Sequence, residues 1–249
     1  MPLAAHFLQG VSDLVFPPVC VHCRGLVESP DAEGELSYRH LCFRCARQLE
    51  FVRPPNCTTC GHPFFGVVEG ERMCAKCDGL HPEFGEGRTA VLFKGPARSL
   101  VIELKYHRGL HVLVDMERIL RRAPHLLAAA RGATLVPVPL HPRKARERGY
   151  NQAELLAAAL ARAAGGGACV QNLLMRAVDT PTQTAFDRRT RIANLKNAFA
   201  LVQSGPLNSG LHFILVDDVF TTGSTLNSCA RALRRAGAVK LDVATFGHG

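Results

Sequence analysis

The chain has 249 residues, 47% of them hydrophobic, and a formal net charge of +9. That size fits one large domain or two smaller ones around a packed core. It holds no apolar run of the ~18 residues that a membrane span needs, since its richest stretch, residues 153–164, contains Glu154 and Arg162.

Residues 1–18 have no basic n-region and no clear cleavage site, so the expected compartment is the cytoplasm. Charge is unevenly spread. Residues 1–85 hold seven Lys/Arg and ten Asp/Glu, whereas residues 86–249 hold 23 and 11. The basic part is expected to meet phosphate, in a phosphorylated small molecule, a nucleic acid, or both. The expected division is a small domain over 1–85 and a larger one over 86–249.

The spacing of residues 3–16 predicts an amphipathic helix. Eight of the ten cysteines then fall in four C-x-x-C pairs: Cys20/Cys23, Cys42/Cys45, Cys57/Cys60 and Cys74/Cys77. Each pair can place two thiolates on one tetrahedral zinc, and two pairs close a structural site of four thiolates. Sequential pairing gives Cys20, Cys23, Cys42 and Cys45 for one ion, and Cys57, Cys60, Cys74 and Cys77 for the other. Interleaved pairing stays open, because spacing does not fix connectivity. A disulfide scaffold would require secretion. Two filled sites add about −4, which speaks against a simple nucleic-acid-binding finger and for a scaffolding role. His22, His40 and His62 read as surface residues, residues 29–37 as a loop.

Residues 89–93 read as a strand. Residues 97–104 read as a short helix with Leu100, Val101 and Leu104 inward and its basic end, Lys105-Tyr106-His107-Arg108-Gly109, exposed. Residues 112–130 are helical in pattern, broken by Pro124. Residues 135–138 form a strand that turns through Pro139-Leu140-His141 into a loop carrying Arg143, Lys144, Arg146 and Arg148. Four cations in six residues make this stretch strongly basic. Asn151 is placed to cap the helix that follows, and three glycines, Gly165 to Gly167, end it. A strand at 173–176, a loop with a short basic helix at 180–199, and strands at 199–202 and 239–246 complete the pattern. Strands alternating with helices imply a mainly parallel sheet covered on both faces. Cys169 and Cys229 fall outside the pairs and read as buried or partly buried residues.

Residues 213–226, FILVDDVFTTGSTL, carry the most specific signal. An apolar strand leads to Asp217 and Asp218, then to Thr221-Thr222-Gly223-Ser224-Thr225, where a helix begins and runs to Gly237. The first N–H groups of a helix lack intrahelical partners and carry its positive dipole end, so phosphate sits well there. Gly223 lets the backbone approach a ligand. The two carboxylates are suited to accept hydrogen bonds from sugar hydroxyls beside that phosphate.

This stretch resembles the phosphoribosyl pyrophosphate (PRPP) motif of type I phosphoribosyltransferases. Together with K-Y-x-x-G at 105–109, P-V-P-L-H…R-G-Y-N-Q at 137–152 and the cysteine pairs, the whole chain is similar to the ComF (competence protein F) family. The resemblance implies a double zinc ribbon followed by an α/β, type I phosphoribosyltransferase-like core with a mainly parallel sheet. It implies that Asp217 and Asp218 hold the ribose hydroxyls and that Thr221, Thr222, Gly223, Ser224 and Thr225 hold the 5′-phosphate. It assigns Leu140, His141, Arg143, Lys144 and Arg148 to the pyrophosphate loop, with a strained or cis peptide expected at 139–140. Lys105, Tyr106 and Arg108 belong to a flap over the site, and Gln183, Arg188 and Asn194 to a flexible loop closing over PRPP. The implied cofactors are two structural Zn2+, and Mg2+ with PRPP. The implied setting is DNA uptake and natural transformation, with competence proteins as partners through the ribbons. Thr221 stands where purine-salvage enzymes of this class carry an Asp proposed as base, so salvage is not expected. The alternative is a non-catalytic single-stranded-DNA-binding factor that uses the basic face.

Overall fold

The computed structural model describes residues 17–27, 37–64, 66, 70, 72–77, 79–176, 198–203 and 205–249. The expected helix at 3–16, most of the 29–37 loop, and Gln183, Arg188 and Asn194 lie outside the described residues.

The core opens with β1 (Gly87–Leu92), followed by α2 (Gly95–Tyr106); a short helix, α1 (Phe43–Ala46), precedes them among the cysteines. Then come α3 (Leu113–Arg121), α4 (Pro124–Ala130), β2 (Thr134–Pro137), α5 (Pro142–Arg148) and α6 (Gln152–Ala164). The chain ends through β3 (Cys169–Val170), β4 (Leu174–Arg176), β5 (Phe199–Leu201), β6 (His212–Phe220), α7 (Ser224–Arg235) and β7 (Lys240–His248). Five strands form one sheet in the order β1-β7-β6-β2-β3. All four of its pairings are parallel, so the expected α/β class holds, and β4 and β5 form a separate antiparallel pair.

Period-two alternation along β6 divides the core. Ile214 and Val216 join Leu100, Val101, Leu104, Met116, Ile119, Leu156 and Leu160 on one face. Phe213 and Leu215 join Leu226, Cys229 and Leu233 of α7 on the other. Each face also takes one cysteine region. Leu41, Cys45 and Leu49 pack with the first cluster and Cys57, Cys60, Cys74 and Cys77 with the second.

The ribbon segments also cover the sheet's open edge, which would otherwise offer unpaired backbone groups. Val52 N–H donates to Ala90 O (2.9 Å), Leu92 N–H to Glu50 O (2.9 Å) and Gly87 N–H to Thr58 O (2.7 Å). Only glycine fits at 87, because a Cβ there would lie 2.1 Å from Thr59 O.

Several expectations need correction. The basic stretch after β2 is a helix, α5, not a loop: Pro142 starts it and Gly149, at φ +84°, ends it, the ordinary start and stop residues of a helix. Strand β6 runs through the acid pair instead of ending before it. The cis peptide among the described residues is Pro54–Pro55, not 139–140. Cys169 is exposed, at the start of the two-residue strand β3, which is too short to leave a pattern. His40 and His62 are half-buried, packed against the rings of His111 (4.5 Å between centroids) and His248 (4.9 Å). Among the described residues no helix is long and apolar enough to cross a membrane.

Candidate functional site

Strands β2 and β6 are neighbours, with Pro137 opposite Val216, so the segments leaving their carboxyl ends lie side by side. This is where parallel sheets place ligands. Asn151 fastens the first segment. Its Nδ2 donates to Val138 O (3.0 Å) while its Oδ1 accepts from Ala153 N–H (3.1 Å), capping α6 as the sequence suggests.

The acid pair sits on β6 between the two faces. Asp218 is buried, and its Oδ1 lies 2.8 Å from Lys105 Nζ at the end of α2. Its other oxygen, Oδ2, is buried and has no hydrogen-bond partner among the described residues. Asp217 is half-buried and accepts from Asp218 N–H (2.8 Å). Removal from water, reinforced by the like charge of Asp218, pushes the Asp217 carboxyl up to about 7. Burial raises the nearby Cys229 thiol, and the Asp217 charge raises it further. Lys105, expected at an exposed basic helix end, is thus turned inward onto Asp218. Its partner is 113 positions away in sequence, and no local pattern marks it.

Beyond the acids, Thr221 and Thr222 are exposed, Gly223 is buried, and Ser224 and Thr225 form the exposed first turn of α7. Thr222 Oγ1 and Ser224 Oγ lie 3.0 Å apart. Gly223 adopts φ +72°, and a Cβ there would meet Phe220 Cζ at 2.7 Å and Leu80 Cδ2 at 3.1 Å. The tight turn that presents the hydroxyls therefore requires glycine. Leu80 brings in the second cysteine region. Asn227 of α7 accepts from Glu83 N–H (2.7 Å) and donates to His81 O (3.3 Å). Sequence reading missed Leu80 and Asn227; the partners of Asn227 lie 144 and 146 positions away, and no local pattern marks them.

On the neighbouring loop, His141 caps α5 by accepting from Arg143 N–H (3.2 Å). No residue of α5 is buried. Arg143 pairs with Glu147 (2.8 Å), Lys144 and Arg146 are exposed, and Leu140 and Arg148 are half-buried. Arg148 bonds Gln152 and sits 5.8 Å from the Tyr106 ring centre. Arg108 donates to Glu147 O (3.1 Å), and Tyr150 OH donates to Leu104 O. The end of α2 and helix α5 are thereby joined beside the acid pair. Carboxylates, hydroxyls on a helix start and a cationic helix can together take a sugar carrying phosphates.

The cysteines form two clusters. Cys20, Cys23, Cys42 and Cys45 bring their sulfurs within 4.8 Å of one another, as do Cys57, Cys60, Cys74 and Cys77. Pairing is therefore sequential. Sulfur separations of 3.7 Å (Cys23–Cys42) and 3.6 Å (Cys60–Cys74) match the edge of a tetrahedron built on Zn–S bonds of about 2.3 Å, and all eight thiols are free. Backbone N–H groups of Cys74 and His62 reach the sulfurs of Cys57 (3.2 Å) and Cys60 (3.4 Å), as the outer shell of a metal site does. Burial pushes the Cys45 and Cys60 thiols up, and Cys77 up to about 12. A divalent cation supplies the charge that lets such groups ionise together. The residues fit two structural zinc ions.

The model of the double zinc ribbon domain family matches residues 11–78. The chain is 33% identical to the DNA utilization protein YhgH of Salmonella typhimurium over 234 residues, covering 92% of this chain and 96% of that one. It is 29% identical to competence protein F of Haemophilus influenzae over 228 residues, or 90% and 94% of the two chains. Identity to competence protein ComFC of Bacillus subtilis is 23% over 203 residues, 79% of each. With a double zinc ribbon ahead of a parallel α/β core, and a third of its residues shared along nearly the whole of a relative, the chain belongs to the ComF (competence protein F) family.

Proposed function

We propose that the protein binds PRPP with Mg2+ at the carboxyl ends of β2 and β6, where the ribose C1′ carbon passes from pyrophosphate, which leaves, to the nucleophilic atom of an acceptor, in the service of DNA uptake. The observation that carries this reading is the buried Asp218 Oδ2 without a partner among the described residues. A buried carboxylate oxygen is costly to leave unpaired, and a ribose hydroxyl beside it is a donor of the right kind. Asp217 and Asp218 take the ribose hydroxyls. Thr221 to Thr225 take the 5′-phosphate. His141, Arg143, Lys144 and Arg148, with Leu140, flank the pyrophosphate. Lys105 holds Asp218 in place, Tyr106 and Arg108 close one side, and Gln183, Arg188 and Asn194 are assigned to the closing loop. Mg2+ would be held chiefly by pyrophosphate oxygens and would offset their charge. The cations stabilise the departing pyrophosphate, which is most of what this reaction asks of a protein. In this reading residues 1–85 are the ribbon unit and 86–249 the transferase-like unit.

Calorimetric titration of PRPP with Mg2+ tests it. Wild type should bind, and Asp217→Asn/Asp218→Asn should bind about a hundredfold more weakly, the loss of two charge-assisted hydrogen bonds. A zinc-loaded wild type that takes up no PRPP overturns the reading.

A second reading, single-stranded DNA binding, is favoured by the exposed Lys144 and Arg146 on α5 and by the DNA-utilization and competence names of the relatives. DNA affinity that falls steeply with salt and ignores Asp217→Asn/Asp218→Asn would select it.

A further inference from the structure

A second concavity, of about 370 Å³, shares no residue with the acid-pair site. It is lined by Ala46, Arg47, Leu49, Phe51, Arg53 and Arg122. Ala46 and Leu49 are buried and make an apolar floor; the charged lining is three guanidinium groups.

Arg122, at the carboxyl end of α3, is held in place. Its Nη1 donates to the hydroxyl of the buried Tyr38 (3.1 Å), and its guanidinium carbon lies 4.4 Å from the Phe51 ring centre. Phe51 is itself fixed by an antiparallel bridge to Val91. Arg47 leans over Phe43 at 5.7 Å, and Arg53 is exposed. Among the described residues no carboxylate lines the concavity, and Glu50, between Leu49 and Phe51, pairs with Lys94 (2.7 Å) instead. Guanidinium groups stay charged at any physiological pH. Three of them around one hollow repel one another, and a filled first cysteine site, at about −2, still leaves a positive excess.

We propose that this hollow is a phosphate-binding site, taking either a phosphate of a nucleotide or a phosphodiester link of a single-stranded nucleic acid. Guanidinium forks match phosphate oxygens two at a time. Arg122 already covers the Phe51 ring, so the site offers donors and no free stacking face. Recognition is therefore of phosphate, without preference among bases.

The test compares wild type with Arg47→Gln/Arg53→Gln. Both side chains are exposed, and zinc content and melting temperature should match wild type; if they do not, Arg53→Gln alone repeats the measurement. One probe is ATP, followed by calorimetry. The other is fluorescein-labelled oligo-dT of about 20 nucleotides, long enough to span a binding groove and followed by anisotropy. A loss of about tenfold or more for the oligonucleotide, with a salt slope shallower by about 1.4, supports the site with the nucleic-acid backbone as source. The same loss for ATP alone supports it with a nucleotide as source. Unchanged affinity for both probes overturns the proposal, as does a wild type that binds neither. PRPP titration of the same variant should be unaffected, which keeps this result separate from that of the acid-pair site.

Discussion

Cys23 is exposed and Cys42 half-buried in the first cysteine site, whereas all four cysteines of the second are buried. Both sites are built from two C-x-x-C pairs, 18 residues apart in the first and 13 in the second, and their burial follows what each site packs against. The first lies on the α2–α3 face. Its main polar tie is Asp115, fully buried, which accepts from the N–H groups of Arg39 (2.7 Å) and His40 (2.6 Å). Hydrogen bonds, first from the Gly25 N–H and then from the neighbouring cysteines, hold the Cys23 thiol down at about 7. The second lies on the α7 face, and the residues that follow it reach the turn presenting the hydroxyls. One metal chemistry thus serves two purposes, a peripheral clamp and a wall of the candidate site.

Removing a buried ligand should widen that difference most. Cys60→Ser is expected to destabilise the protein by more than about 4 kcal/mol, as loss of a structural metal does, and to weaken PRPP binding. Cys23→Ser should cost distinctly less and leave PRPP binding intact. Melting curves with zinc analysis decide it, and equal losses would erase the distinction.

The acid pair divides between the same two faces, Asp218 toward Lys105 and Asp217 toward Cys229. Asp217 titrates near 7 in the folded chain, above the ordinary value of 3.8. A carboxyl raised on folding adds stability that is complete below about pH 4 and is lost as pH rises through about 7. The ligand-free protein should therefore lose stability between about pH 4 and 7, and Asp217→Asn should flatten that slope. Hydroxyl donors favour the carboxylate, so PRPP binding should tighten over the same range. Parallel melting profiles of wild type and variant would rule out this titration.

The two polar ties come next. Asp115→Ala removes the carboxylate that accepts from two backbone N–H groups and should cost about 3 kcal/mol. Asn227→Ala should cost about 2 kcal/mol. Only the second should lower PRPP affinity, because only it joins the ribbon to α7. Denaturant melts paired with calorimetry separate the two effects.

Much of this organisation was legible because it is local. Four C-x-x-C pairs announce metal sites whatever the fold, and an apolar run at 213–216 announces a buried strand. Helix α5 was also legible, with Pro142 first and Gly149 last, yet its charge drew the reading toward a loop. Contacts that depend on tertiary structure left no such trace. Asp115 occupies a position on α3 that reads as polar surface until residues 39 and 40 arrive from 75 positions away. Lys105 reads as a solvent cation until β6 places Asp218 beside it. Covering of the β1 edge by residues 50–58 follows from the packing of the ribbons, which no periodicity within them encodes.

Gly223→Ala probes the smallest contact, the point where the second ribbon meets the hydroxyl turn. Alanine at φ +72° costs about 1–2 kcal/mol for its backbone alone, wherever the surrounding atoms lie. The added methyl also meets Phe220 Cζ at 2.7 Å and Leu80 Cδ2 at 3.1 Å. Phe220 is buried against Phe84 and His248 and has little room to move, so relief must come from Leu80. Leu80→Ala in the Gly223→Ala background should therefore recover part of the stability and of the PRPP affinity. The backbone share stays lost. A double-mutant cycle reads that recovery as a coupling energy. Coupling near zero would mean that the ribbon only lies beside the turn, and the second site would then be a clamp like the first.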